Sequence, residues 1–418
     1  MAAAILAAME SDTFFMNFDL NDEQMQVRDM VREFAQREVA PHIREWDAGG
    51  KVDRSLIDKL GETGILGLPI PEEYGGLGLD YISLALACDE LEYVDTSLRV
   101  ILSVHVGLNS LALLQWATEE QKQRWLVPQA QGEKIATFGL TEPAAGSDAG
   151  AIESTAVRDG DSYILNGSKM WISLADIADH FLVFASTDRS LKQRGLTAFV
   201  MERGMEGFTT GTIKGKLGIR AGNTGELAFN NVRVPLENRI GEEGEGFKIA
   251  MSCIDQGRFT VAAGAAGLTR ASLDASVKYA NERHTFGQPI GKHQLVQQMI
   301  AKMVAGHEAS QLLVYKAAEL KNRGIRNTKE TSLAKWYATD AAFQAADDAI
   351  QIHGSYGFSN EYPVERFMRN ARGSVIYEGT REIHQILQAE YALGYRKDKV
   401  LSHPQPPAVG FEPESALR

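Results

Sequence analysis

Glu378 lies in the run Ile376-Tyr377-Glu378-Gly379-Thr380, a single acidic residue between apolar neighbours and a Gly-Thr turn. A carboxylate set among Val375, Ile376 and Tyr377 loses hydration, which raises its pKa and makes it a better base near neutrality. The same five residues also read as a helix start, where an acidic side chain favours the positive end of the helix. What other stretches bring beside Glu378 decides between the two.

Phe138, Leu140 and Thr141 open a segment that continues through Glu142-Pro143 to Gly146-Ser147-Asp148. Its hydroxyls and turn amides can bind an extended polar edge such as the pyrimidine rim of a flavin, although the segment also reads as two plain turns. Asn166-Gly167-Ser168-Lys169 leads to Trp171 and Ser173, and a Trp there either covers a planar ring or packs in a core. Arg283, Thr285 and Phe286, ahead of Gln294, can hold a pyrophosphate and an adenine, or form a helix cap and a surface turn. Gln351-Ile352-His353-Gly354 starts a loose glycine-rich loop that does not follow the spacing of a dinucleotide fingerprint. The Gly241 to Gly246 loop carries three acids that would repel phosphate, so no Rossmann site is read.

Three blocks must position these residues. The chain has 418 residues, 44% hydrophobic and 23% charged, enough for two or three domains or one large composite core. A net charge of −12 argues against a general nucleic-acid binder. No stretch approaches the length of uninterrupted apolar residues that a membrane span needs, so none is expected. Cys88 and Cys253 stand far apart without a CxxC or His-Cys cluster, which fits a reducing compartment, the cytoplasm, and no structural zinc. Residues 1–16 read as a flexible extension. A 3.6-residue period from Asn17 predicts a helical N-terminal domain over 17–134, opened by an Asn21/Gln24 capping box. Short β-type runs divided by Asn166-Gly167 and Gly222-Asn223 turns predict a β-barrel or sandwich over 135–245. The helical period then returns and predicts a four-helix bundle over 246–395, with a flexible Pro-rich tail at 396–418. The fold class is therefore α+β, mainly helical, with a cleft where the three blocks meet.

Taken in order, Thr-Glu-Pro-x-x-Gly-Ser-Asp, Asn-Gly-x-Lys-x-Trp-Ile, Arg-x-x-Phe-Gly-x-Pro-Ile, Glu-Tyr-Pro-Val-Glu-Arg and Ile-Tyr-Glu-Gly-Thr resemble the acyl-CoA dehydrogenase family from about Asn17 to Gly394. The resemblance implies FAD between the β domain and the bundle, with Glu378 as the base that takes the α-proton of an acyl-CoA thioester. It also implies that the Glu378 amide, with a flavin ribityl hydroxyl, holds the thioester oxygen. Some branches carry the base just before the Arg matching Arg258, where this chain has Gly257. Phe138, Leu140, Thr141, Gly146, Ser147, Trp171 and Ser173 match flavin contacts, and Thr380 a phosphate contact. Arg283, Phe286, Gln294, Gln351 and Gly354 match contacts to the FAD of a neighbouring subunit, which implies a homo-oligomer, usually a dimer of dimers. Glu382 departs from the Gln of many members. Ser147, Arg258, Tyr377 and Gly379 fall on the substrate side.

Arg99, with Ser103 four residues on and Glu92 seven before, is similar to the glutaryl-CoA dehydrogenase branch, whose Arg holds a distal carboxylate. A buried Arg without a partner is costly, and a dicarboxylic acyl group such as glutaryl would supply one. The competing reading pairs Arg99 with Asp95 one helical turn away. Some members of that branch release carbon dioxide from the enoyl product; Tyr377 matches those and Ser173 the others. An electron-transfer flavoprotein is the acceptor that the resemblance implies. A plain butyryl-type dehydrogenase, an oxygen-using oxidase and a non-catalytic CoA-thioester scaffold are the alternatives.

Overall fold

The computed structural model describes residues 19–398 and 402–411, so the expected extension at 1–16 lies outside the described residues. Helix α1 (Asp22–Phe34) starts on the capping box: Asn21 Oδ1 accepts from the Gln24 amide at 2.8 Å and Gln24 Oε1 from the Asn21 amide at 3.0 Å. Two donors that a helix start would orphan are thereby satisfied. After α2 (Ile43–Gly49) and α3 (Arg54–Glu62) come α4 (Tyr81–Val94), α5 (Thr96–Trp116) and a helical stretch α6 at residues 119–130. Among the described residues α5 is the one helix long and apolar enough to cross a membrane, a candidate the sequence reading did not expect. Arg99, Ser103, His105 and Asn109 interrupt its apolar run, and 94% of its most apolar window is buried inside the protein. It is a core helix.

The middle block holds β1 (Ala136–Gly139), β2 (Thr155–Asp159), β3 (Ser162–Ser173), β4 (His180–Ser186), β5 (Leu196–Glu202), β6 (Phe208–Thr212), β7 (Thr224–Pro235) and β8 (Arg239–Ile240). They form one eight-stranded mixed sheet in the order β6-β7-β3-β2-β4-β5-β8, with β1 added parallel to β4. The expected barrel or sandwich takes the form of this continuous sheet. Its β3–β7 ladder shifts register between Leu165 and Gly167 and again between Met170 and Ile172. Trp171 occupies the second irregularity with φ 63°, and a bulge of this kind re-aims a side chain away from the ladder.

The last block has three long helices, α7 (Gly246–Glu282), α8 (Gln294–Asn322) and α9 (Thr328–His353), and two short ones, α10 (Val364–Ser374) and α11 (Arg381–Ala392). Four long helices were expected. The fourth is divided because Glu378 (φ 55°) and Gly379 (φ 93°) leave the right-handed region, and Thr380 then caps α11 by accepting from the Ile383 amide at 3.4 Å.

Residues 402–411 are not the free tail that their prolines suggest. The His403 ring lies 4.5 Å from that of Trp116, the Ala408 amide donates to Asn322 O at 2.9 Å, and Ala408 is buried. Apolar and aromatic contacts hold the segment where composition alone signals disorder.

Helix α4 crosses α7 in backbone contact. A Cβ at Gly267 would lie 2.1 Å from Asp89 O and 2.9 Å from Asp89 Cα. Gly267→Ala should therefore force the helices apart and cost about 1–3 kcal/mol, seen as a lower Tm in calorimetry. An unchanged Tm would show that α4 can retreat freely.

Candidate active site

A cavity of about 1820 Å³ opens where the three blocks meet. Arg99 and Ser103 reach it from α5, and Phe138, Leu140, Thr141, Gly146 and Ser147 from β1 and the loop after it. Trp171 and Ser173 line it from β3, Arg258 from α7, and Tyr377, Glu378, Gly379 and Thr380 from the α10–α11 connection.

Two sequence motifs meet in one buried ion pair. Lys169 Nζ lies 2.7 Å from Glu142 Oε1 and donates to Leu140 O at 3.2 Å, while Glu142 also accepts from the amides of Glu153 and Ser154. Burial lowers the Lys169 pKa to about 8, against the pull of Glu142. The Met170 amide donates to Thr141 O at 2.9 Å, which ties the Thr-Glu-Pro loop to β3. The separation of Glu142 and Lys169 by 27 residues gives no sequence signal that the two pair.

Glu378 sits at the break between α10 and α11. Its side chain faces the cavity and keeps partial exposure, yet the protein packed around it strips enough hydration to raise its pKa to about 7. Arg258, Lys335 and Arg99 pull the other way and limit the rise. A left-handed backbone at a non-glycine residue costs about 1–3 kcal/mol and needs support. Arg258 Nε donates to Glu378 O at 3.1 Å and Lys335 Nζ to Gly379 O at 2.8 Å. Lys335 went unassigned in the sequence because it lies in the Ala-rich run of α9; a Lys on that buried face was the available signal. Burial lowers its pKa to about 7, with Glu378 opposing the drop.

A Cβ at Gly257 would lie 2.7 Å from Glu378 Oε2. A side chain at 257 would therefore fall on the Glu378 carboxylate, and Gly257 leaves that carboxylate room.

On the same cavity wall, beside Tyr377, Arg99 Nε lies 2.5 Å from Glu92 Oε2 and Nη2 donates to Tyr377 Oη at 2.6 Å. Burial penalises the guanidinium, but Glu92 and Tyr377 outweigh it and hold the pKa above its ordinary value. Asp95 is not the partner: it caps α5 by accepting from the Ser97 amide at 2.8 Å, and it binds Arg366 Nε and Asn370 Nδ2, each at 3.0 Å. Glu92 is wholly buried outside the cavity lining, so it positions Arg99 and does not face a ligand. The buried Arg thus already has a counter-charge in the chain. Its Nη1 donates to none of the described residues.

Arg283, Phe286, Gln294, Gln351 and Gly354 do not reach this cavity. Arg258 and Arg283 are separated by most of α7, roughly 35 Å at helical rise. Phe286 is 96% exposed with φ 51°, and Arg283 lies over the Tyr356 ring at 6.0 Å, so the group gathers on an outer surface.

The near walls suit a flavin. Trp171 is 60% exposed and bulged out of its strand, Thr141, Ser147 and Ser173 offer hydroxyls, and Phe138 and Leu140 give an apolar backing. Among the described residues no cluster of His, Cys, Asp and Glu could hold a metal ion.

Three domain models match the chain: acyl-CoA dehydrogenase N-terminal domain at residues 21–133, middle domain at 137–232 and C-terminal domain at 244–393. The chain is 44% identical over 372 residues to the short-chain specific acyl-CoA dehydrogenase of Clostridium acetobutylicum, covering 89% of this chain and 98% of that one. A chain from a structure described as the electron transferring flavoprotein of Acidaminococcus fermentans superposes with a TM-score of 0.89 at 47% identity, over 90% of this chain and 100% of that one. A glutaryl-CoA dehydrogenase in complex with glutaryl-CoA gives a TM-score of 0.90 at 39% identity, over 94% and 100%. With all three domains matched and the flavin-facing walls in place, the chain belongs to the acyl-CoA dehydrogenase family of FAD-dependent oxidoreductases.

Proposed function

We propose that this enzyme removes the α- and β-hydrogens of a short acyl-CoA thioester that carries a second carboxylate at its far end, giving the trans-2-enoyl-CoA. The observation that carries the carboxylate is Arg99 on the cavity wall, held by Glu92 and Tyr377 with Nη1 left over. A guanidinium already neutralised by Glu92 can bind a substrate carboxylate or tolerate an apolar end, and the short-chain relative gives the plain butyryl reading second place.

The chain's own residues supply the proton chemistry. The Glu378 amide donates to none of the described residues and is free to hold the thioester oxygen, which stabilises the charge that builds as the α-proton leaves. The Glu378 carboxylate, with a pKa of about 7, takes that proton. Arg258 and Lys335 fix the backbone that aims both groups. Bound FAD would supply the acceptor for the β-hydrogen and its electron pair, and Trp171 on the cavity wall would cover its ring. Thr141, Ser147 and Ser173 would hold its ring edge and Thr380 a phosphate. The outer group at Arg283, Phe286, Gln294, Gln351 and Gly354 would meet the FAD of a second copy in a dimer of dimers. We take an electron-transfer flavoprotein as the acceptor, and buried free Cys88 and Cys253 suit a reducing compartment such as the cytoplasm.

Anaerobic mixing with glutaryl-CoA should bleach the flavin of the purified protein, and Glu378→Gln should bind the same thioester while leaving the flavin oxidised. Bleaching by butyryl-CoA alone would remove the carboxylate reading; retained reduction in Glu378→Gln would remove the base.

The paired variant Glu92→Gln/Arg99→Gln, which leaves no buried charge unmatched, should lower kcat/KM for glutaryl-CoA by about 100-fold and for butyryl-CoA by far less. Equal losses for both substrates would deny Arg99 a role in selection.

Because the base must be ionised, the rate of flavin reduction should fall as pH drops through about 7. Lys335→Met removes a cation that favours the carboxylate, so this acid limb should move to higher pH. A limb that stays in place would separate Lys335 from the base.

A further inference from the structure

We infer that residues 402–405 form one wall of the channel that receives the non-reacting arm of the thioester, a substrate-binding element that the family's domain models, ending at residue 393, do not include. The inference rests on the proposed thioester chemistry. Ser402, Pro404 and Gln405 line the same cavity as Glu378. Facing them are Gln115 and Trp116 at the end of α5, while Arg99 stands near its beginning. At helical rise these two ends lie roughly 25 Å apart, so an acyl group that reaches Arg99 past Glu378 needs a long, narrow arm to occupy the rest. A pantetheine chain has that shape and exposes amides and a hydroxyl.

The tail is held on both sides of its contact with the cavity. Before it, Asp398 Oδ1 accepts from Tyr391 Oη at 2.7 Å and pairs with Arg326 Nε at 3.2 Å. Within it, Gln115 Nε2 donates to His403 O at 2.7 Å, His403 packs on Trp116, and Gln405 Nε2 donates to Lys321 O at 3.3 Å. Beyond it, the Ala408 amide donates to Asn322 O. These bonds span from α5 to the end of α8, across the cavity's edge. An element fixed at several points and backed by two helices narrows a channel without filling it, and it offers the Gln405 side chain and backbone carbonyls to the amides of an extended ligand.

The test compares the full-length protein with His403→Ala/Gln405→Ala and with a chain ended after Asp398. Flavin content and far-UV circular dichroism establish that each variant is folded. By calorimetry, Kd for CoA itself should rise about tenfold in both variants. In turnover, KM for the acyl-CoA should rise by a similar factor with kcat within about twofold. KM for the same acyl group on N-acetylcysteamine, which lacks the arm, should not change. Unchanged Kd, tighter CoA binding on removal of the tail, or equal effects on the two thioesters would each overturn the inference. A full-length protein that binds CoA yet never bleaches its flavin would overturn the proposed reaction, while the calorimetric comparison would still decide the tail.

Discussion

The site depends on keeping one carboxylate poorly hydrated but still ionisable. Glu378 is crowded enough for its pKa to rise to about 7, and Arg258, Lys335 and Arg99 stop the rise there. Without the crowding the group would be a weak base; without the cations it would stay protonated. The helical bundle serves this balance directly. Its fourth member is interrupted so that residue 378 can adopt a left-handed backbone, and two cations from α7 and α9 hold the carbonyls on either side of the break. Backbone strain and base strength therefore have one support.

Arg99, beside Tyr377, shows the same economy with a different charge. Arg99 is neutralised within the chain by Glu92 and braced by Tyr377, the residue next to the base. Under the proposed function, the side chain that would meet the far end of the acyl group and the one that would take the α-proton are joined through adjacent residues of one connection. A shift of Tyr377 would be felt at both ends.

Much of this was legible in the sequence, for reasons that differ by element. The Asn21 capping box and the helical character of the N-terminal block follow from local chemistry and periodicity, and they fold as read. The helix start at 376–380 was legible from its Gly-Thr turn, but the left-handed backbone at Glu378 was not, since it is held by distant Arg258 and Lys335. Glu92 was noticed for its spacing from Arg99, but seven residues span the gap between two helices, so only the fold shows that they touch. Asp95, at a better helical spacing from Arg99, is taken by Arg366 and Asn370, more than 270 residues away in sequence. Composition misread the tail because one tilted Trp-His ring contact and a few backbone bonds are invisible to it.

The Glu142–Lys169 pair bears on how such enzymes can be recombined. The loop after β1 and the strand that carries Trp171 share one enclosed charge balance and a backbone bond between Thr141 and Met170. Removing either charge would leave the other buried alone, a penalty of several kcal/mol. A chimera that takes the loop from one relative and the strand from another must therefore match at both 142 and 169. Residues 137–173 thus form one electrostatically coupled unit, in which a change at 142 or 169 alone strands a buried charge beside the wall of the cavity.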